Sequence, residues 1–432
     1  LIRRAALAFA LVLPLCSCAR DEAPPGAGSE RAAAAAERLE HLRALPYVDF
    51  AGAEGDTGAD GIVRLDADLS WPGYTLSMSR TLCRADLMDA SGRVMHAWST
   101  SPCHHWANAT ILPGGDLLAV GMDPPADGGA QERLEERFLM RLGADSRVEW
   151  KIREGAHHDA QPAPGGRITA ITAKHRREPA FDPERLLRDN YLAMLSAGGD
   201  VIEEISLWDL LSPGPAGFEL KRAGVARAEK IGAVDLFHAN TVHWMPHPGL
   251  EERGAIWSAD NVMITVRNQD TVAILNWPRR EVLWTWGRGE LIGPHDATWL
   301  ENGNILVLDN GLGRQWSRLV EVEPLTKTIV WEFTAPDRES FYSASRGGAQ
   351  RLPNGNTLVT ESDRGHAFEI TSDGRVVWEF WNPNRNADGH RATIFRMRRY
   401  EPAAVAALIG AAGSSEAGSG ADEAAVAGAE VR

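Results

Sequence analysis

Three histidines stand at the start of three similar segments: His158 in Ala-His-His-Asp, His238 in Phe-His-Ala-Asn and His295 in Gly-Pro-His-Asp. Imidazole changes charge near neutral pH and serves as nucleophile, general base or metal ligand. One such histidine reads as half of a His-Asp pair that caps the entry to a strand. Three at matching points of three repeats read as a site, because equivalent points of a closed repeat array face one another. Two chemistries suit such a cluster. A metal centre is one, but no His-Glu-x-x-His or close Cys/His spacing accompanies these histidines. The other is nucleophilic and acid–base work on an anion. That chemistry needs a guanidinium to hold the anion bidentately. Arg267, in Val-Arg-Asn-Gln-Asp-Thr-Val, falls between the segments opened by His238 and His295, although an arginine on a strand surface would read the same way. The corresponding points of two further repeats are Gly347 and Ala107. His104 and His105 precede Ala107, and His157 is the alternative to His158.

The elements that would carry these residues are β hairpins. Stretches 107–120, 158–171, 295–309 and 347–360 each read as strand, tight Gly turn, strand, with Gly-Gly or Asn-Gly at the turn. A second hairpin follows, as in 84–98, 138–152, 272–286, 319–333 and 368–380. Most end in tryptophan: Trp98, Trp150, Trp284, Trp331 and Trp378. A tryptophan recurring at one place in successive sheets reads as packing between neighbours. Two hairpins make a four-stranded blade, and a ring of blades makes a propeller. Blades fall near 105–152, 158–210, 238–286, 295–333 and 346–380. The leftover strands 73–79 and 84–98, joined by 392–398, complete a sixth blade and close the ring, which removes exposed sheet edges. The fold class is therefore all-β, a six-bladed β-propeller closed by N- and C-terminal strands. An insertion between Lys174 and Asp235 is expected to be partly helical, and Pro183 to Ser196 carries a helical pattern.

Outside the 61–401 body the chain is of low complexity. Residues 19–60 read as a tether with a short helix around Ala32 to Leu45, and 402–432 as a disordered tail. Residues 1–18 read as an export signal: Arg3 and Arg4, then an apolar run too short to span a bilayer, then Leu-Cys-Ser-Cys. A small residue before Cys18 marks it as the lipidated residue of a bacterial lipoprotein, periplasmic or on the cell surface. An ordinary cleaved signal peptide is the alternative. Cys83 and Cys103 are then candidates for a disulfide in an oxidising compartment. The formal net charge of −14 with no basic stripe argues against nucleic acid as partner.

The segments His238-x-Asn240, Arg267-x-Gln269 and Gly293-Pro-His-Asp296, with His157-His158-Asp159 and the Gly-Arg-Val-Val-Trp hairpin, resemble the bacterial arylsulfate sulfotransferase family over roughly residues 70–400. Members are exported six-bladed propellers that move a sulfuryl group from one phenol to another with no nucleotide donor and no cofactor. The resemblance implies His295 as the nucleophile that becomes transiently sulfated. It implies His238, Asn240, Arg267 and His158 as the shell that binds sulfate and handles protons, and phenols and aryl sulfates as small-molecule partners. Typical members carry an additional N-terminal β-sandwich-like region used in dimerisation, for which the stretch before Gly61 is too short. The residues agree with the assignment: a sulfate monoester is an anion, so attack on it requires charge neutralisation, and no Gly-x-x-x-x-Gly-Lys loop is present to cradle a nucleotide.

Other readings stand beside this one. An anchored propeller could bind an aromatic or anionic ligand without turnover. A quinone-dependent dehydrogenase propeller would need more tryptophan-docking repeats and calcium-binding acidic residues than the chain has, and a metal-dependent hydrolase would need the histidines to bind zinc or iron. Trp244 and Trp299 could shape an aryl pocket, or simply pack in the core.

Overall fold

A computed structural model describes residues 27–45, 47–52, 58–125 and 133–409. Six antiparallel sheets are arranged as a six-bladed propeller. Blade 1 spans 105–152, blade 2 160–206, blade 3 239–286, blade 4 295–333 and blade 5 348–381. Blade 6 takes three strands from 74–99 and its innermost strand from Arg398–Tyr400. Tyr74, Thr75 and Leu76 pair with Tyr400, Arg399 and Arg398, so the two ends of the body close the ring in one sheet.

The inner hairpins turn where the sequence demands positive φ. Gly303 and Gly355 sit at φ +83° and +88°, which glycine adopts without Cβ strain. Alternation is weak in the second and third strands of each blade because both faces are buried, one against each neighbouring blade. Asn261–Val266 and Thr271–Asn276 are buried at every position.

Four of the five recurrent tryptophans link blades in a fixed way, while the indole nitrogen of Trp98 is buried with no hydrogen-bond partner among the described residues. The indole N–H of Trp150 donates to the Ala197 carbonyl (3.0 Å), Trp284 to Pro324 (2.7 Å), Trp331 to Ser372 (3.2 Å) and Trp378 to Ala90 (3.0 Å). Each acceptor lies in the outer hairpin turn of the next blade. A large apolar ring thus fills the gap between two sheets while its one polar atom is satisfied across it.

Five local expectations are corrected. Pro183 to Ser196 is not helical: Leu186–Leu195 is a strand whose residues from Leu187 to Leu195 pair with Arg176 to Ile168. Its residues are buried on both faces, which mimics the apolar density of a helix. The C-terminal closing strand is Arg398–Tyr400 rather than 392–398, whose residues Ala392 and Ile394 make only isolated bridges. Gly61–Leu65 adds a fifth, outermost strand to blade 5. The N-terminal helix runs Ala27–Arg43, earlier than expected. The insertion contributes two short helices, Leu207–Leu211 and Ala228–Ile231. The tail does not begin at 402: Pro402–Val405 forms a 3-10 turn, and Val405 and Leu408 are buried in the core. Residues 1–26, with Cys18, and 410–432 lie outside the described residues. Cys83 and Cys103 form a disulfide, with Cα atoms 6.3 Å apart, between blade 6 and the entry to blade 1.

The stretch read as a tether does more than connect. Arg43 is buried and donates to both carboxylate oxygens of Asp270 (2.7 and 2.8 Å). From there residues 47–52 cross to the segment that leads from blade 5 to the closing strand, where Phe50 bridges Ala392 and Ala51 N–H donates to the Arg391 carbonyl (2.7 Å).

Candidate active site

The inner strands of blades 2, 3 and 4 begin at Ala160, Ala239 and His295. His158 and His238 therefore precede their strands, in left-handed backbone conformations (φ +61° and +50°), while His295 is the first residue of its strand. The matching is looser than the sequence implies, yet the rings gather. Those of His158 and His238 are 4.7 Å apart, and His157 stacks edge-on behind His158 at 4.9 Å.

The aspartates that follow two of these histidines have a structural task. Arg396 donates to Asp296 (2.6 Å) and Asp159 (2.7 Å), all three buried. Asp159 also accepts from Val242 N–H (3.1 Å), and Asp296 from Ala349 N–H (2.9 Å). These carboxylates stitch each inner strand to its neighbour. The His-Asp pairs thus divide their labour, the aspartates holding blades and the histidines facing the mouth.

Hydrogen-bond partners determine the tautomers. Asn310 donates through Nδ2 to the Ser343 and Arg346 carbonyls (both 2.8 Å), so its Oδ1 is the atom 2.8 Å from His295 Nδ1. The Gly293 carbonyl is 3.1 Å from the same nitrogen. Both partners are acceptors, so Nδ1 carries the proton and Nε2 holds a lone pair. Nε2 of His295 is buried with no hydrogen-bond partner. Burial, and then the Arg267 charge, push the His295 pKa down to about 3.

His238 is oriented by a buried carboxylate, with Nδ1 2.5 Å from Asp235 Oδ2. Burial outweighs the pull of Asp235 and lowers the His238 pKa to about 4. Burial alone would raise the Asp235 carboxyl, but His238, Arg188 and Arg227 hold it well below the usual range. Nδ1 therefore donates to an ionised carboxylate, and Nε2 presents a lone pair to the mouth. On the other side, Asn190 accepts from Ala239 N–H (2.9 Å), which directs its Nδ2 to His157 Nε2 (3.1 Å). His157 must then donate through Nδ1 to His158 Nδ1 (2.6 Å), leaving His158 with an Nε2–H that faces outward. Burial keeps both rings neutral, their pKa values well below the ordinary value.

One oxygen lies between these two nitrogens. The Tyr47 hydroxyl is 2.5 Å from His238 Nε2 and 3.5 Å from His158 Nε2. With Tyr47 in place the remaining cavity is about 20 Å³. Its walls include Arg80, Arg137, Arg188 and Arg227, with His105, Ala107 and Phe395, a concentration of guanidinium groups in an acidic chain.

Arg267 follows the second strand of blade 3 and is buried. Its Nη1 donates to Asn268 Oδ1 (3.0 Å), its Nε has no partner, and no carboxylate of the described residues pairs with it. Burial, joined by the Arg43 and Arg227 charges, pushes its pKa down. A buried cation without a counterion costs several kcal/mol. Such a group is poised for an anion.

Of the expected residues, His158 and His238 are on the cavity wall, whereas His295 and Arg267 are buried and do not line it, though they lie close enough for Arg267 and His238 to act on the charge of His295. His157 stands behind His158, His105 is on the wall, and His104 is exposed. Asn240 donates to the Pro294 carbonyl (2.9 Å) and accepts from Thr241 Oγ1 (2.8 Å), fixing the backbone that precedes His295. Trp244 and Trp299 pack between blades, away from the cavity. Sequence reasoning did not single out Asp235, Asn190, Asn310 or Tyr47. Asp235 three residues before His238 was a usable signal. So was Asn310, which follows the second strand of blade 4 as Arg267 follows that of blade 3. Among the described residues no group of three or more His, Cys, Asp or Glu side chains could hold a metal ion.

The fold and the site define a closed propeller with a histidine- and arginine-lined mouth. The chain belongs to the arylsulfotransferase (ASST) family, whose model matches residues 145–383. No curated protein matches it. Solved structures with some likeness include a protein of unknown function from Bacteroides caccae (13% identity, TM-score 0.49, covering 76% of this chain and 99% of that one). A periplasmic gluconolactonase from Pseudomonas aeruginosa shares 11% identity (TM-score 0.44, 76% and 99%). A streptogramin B lyase shares 12% (TM-score 0.42, 82% and 97%). These likenesses are too distant to carry an argument about function.

Proposed function

We propose that this protein transfers a sulfuryl group from an aryl sulfate to a phenol through a covalent intermediate on His295. The observation that carries the reading is the pairing of Arg267, a buried guanidinium with no counterion among the described residues, with His295, whose buried Nε2 lone pair has no partner among them.

In the first half-reaction the sulfate group of the donor lies against Arg267. His295 Nε2 attacks sulfur, the S–O bond to the aryl oxygen breaks, and that oxygen leaves as a phenolate. His158 Nε2–H is the donor available to it. In the second half an acceptor phenol takes the place of the first. His238 Nε2 removes its proton while the oxygen attacks sulfur, and the electron pair of the breaking N–S bond returns to His295. The proton that His238 acquires passes to solvent as the product leaves, because burial holds the ring's pKa at about 4, and the neutral ring is restored for the next cycle. Asp235 stabilises the imidazolium formed in between. The negative charge that gathers on the equatorial sulfate oxygens is met by fixed cations in a nearly closed site, where they act more strongly than in water. Such a two-step route gives ping-pong kinetics.

The setting we propose is an exported, lipid-anchored protein of a bacterium, on the strength of Arg3, Arg4 and Cys18. The activity is tested with 4-nitrophenyl sulfate as donor and phenol as acceptor. Phenol-dependent release of nitrophenol, with parallel double-reciprocal lines, is the expected result. Release that continues over many turnovers without phenol would point to hydrolysis. No release from folded protein across several aryl sulfates would favour a binding module.

A further inference from the structure

The place that the proposed reaction assigns to an acceptor phenol is already held by a phenol of this chain. Tyr47 belongs to no blade. Its hydroxyl has the two partners an acceptor would need, the lone pair of His238 at 2.5 Å and the N–H of His158 at 3.5 Å. The guanidinium carbons of Arg346 and Arg227 lie 5.2 and 5.7 Å from the centre of its ring, within range of a cation–π contact that holds the ring in place. The segment is held on both sides of the mouth. Arg43 grips Asp270 on one side. On the other, Arg346 donates to the Val48 carbonyl (2.7 Å) and Thr393 N–H to the Asp49 carbonyl (3.0 Å). These ties return the hydroxyl to one position after any excursion. The cavity left beside it, about 20 Å³, has room for roughly one water and none for a second phenol.

We infer that Tyr47 is a built-in acceptor, sulfated at its hydroxyl when no external phenol is present. The inference rests on the sulfuryl-transfer reading above. The donor enters while Tyr47 is displaced, its aryl S–O bond breaks as the His295 Nε2–S bond forms, and the phenol product leaves. Tyr47 then returns. Its Oη forms a bond to sulfur, its proton passes to His238 Nε2, and the electron pair of the N–S bond goes back to His295. The product is a tyrosine O-sulfate, with no oxidant, reductant or co-reactant beyond the donor itself. An external phenol reaches the sulfated histidine only by keeping Tyr47 out, so self-sulfation and external transfer compete for one intermediate.

The test uses wild-type protein with 4-nitrophenyl sulfate in two arms, one without acceptor and one with excess phenol, followed by peptide mapping. Without acceptor, one SO3 is expected on the peptide that carries Tyr47, assigned to that residue by fragmentation. It should be absent from His295→Asn and several-fold weaker in the phenol arm. In Tyr47→Phe the SO3 should remain on His295. If phenyl sulfate forms in the phenol arm while Tyr47 stays unmodified in the other, the inference falls and the sulfuryl-transfer reading stands. If neither phenyl sulfate nor modified Tyr47 appears, both fall.

Discussion

The carboxylate of Asp235 lies 2.5 Å from Nδ1 of His238, and both side chains are buried. The contact makes the outward nitrogen a base and provides for the positive charge that base acquires. Asp235→Asn keeps the shape and loses the charge. Its kcat with a weakly acidic phenol as acceptor is expected to fall on the order of 10²–10⁴-fold, the usual worth of a positioned general base. Strongly acidic phenols, which need less help in losing a proton, should lose less. Equal losses across a series of phenols would remove His238 from the proton transfer.

Arg267 offers a second test. Replacing it with methionine keeps the bulk of the side chain and removes the charge. The variant should fold at least as stably as wild type, since an uncompensated buried cation disappears. Its kcat/KM for aryl sulfate should drop about 10²–10³-fold, as for loss of one preorganised donor to a developing anion. Lysine, a point charge without the fork, should restore little. Normal kcat/KM in Arg267→Met would contradict the assignment.

The pH dependence follows from the depressed histidines. His295 and His238 titrate at about 3 and about 4 in the folded chain, against an ordinary 6.5. Activity that needs both rings neutral should stay level as pH is lowered through 6.5 and fall only as it approaches 4. Stability follows a different course. Between pH 6.5 and 4 the unfolded chain binds protons at these positions and at His157 and His158, while the folded chain does not. Folding stability therefore declines as pH falls through that window. His366, raised by its contacts with Glu361 and Glu379 against the effect of burial, works in the opposite sense. Its contribution is complete below 6.5 and lost as pH rises through its folded pKa. Urea midpoints across this range should fall toward acid. A midpoint that rises from pH 6.5 to 4 would contradict the burial of four neutral histidines.

Arg396 ties the inner strands of blades 2 and 4 through Asp159 and Asp296. Arg396→Met leaves two buried carboxylates without this cation and should cost about 3–5 kcal/mol, the range for breaking a buried pair by removing one partner. Equilibrium urea unfolding measures it. A loss below 1 kcal/mol would place the pair among the weakly contributing ones.

The propeller was legible because its signals are local and repeated. Gly turns at fixed offsets and a tryptophan at the end of most outer hairpins need no tertiary information to be seen. Closure was legible too, since 73–98 lacked an inner strand and the C-terminal residues lacked partners. The strand Leu186–Leu195 was not, because burial on both faces erases the period of two that separates a strand from a helix. In the site, the three histidines and Arg267 stood out by recurrence or by chemistry. The tautomers did not, since they depend on Asn190 and Asn310, amides whose orientation is set by backbone groups distant in sequence. Tyr47 was hidden most completely. It lies in a stretch of low complexity, and only the docking of Arg43 and Ala51 on the two sides of the mouth shows where its hydroxyl goes.

The most direct measurement of the central claim is a rapid-quench experiment with 4-nitrophenyl sulfate and no acceptor. Wild-type protein should release nitrophenol in a burst stoichiometric with active sites, and the quenched protein should carry SO3 derived from the donor, first on His295. His295→Asn, still folded, should show neither burst nor label. A full burst or undiminished transfer to phenol in His295→Asn would contradict the account and assign the nucleophile elsewhere.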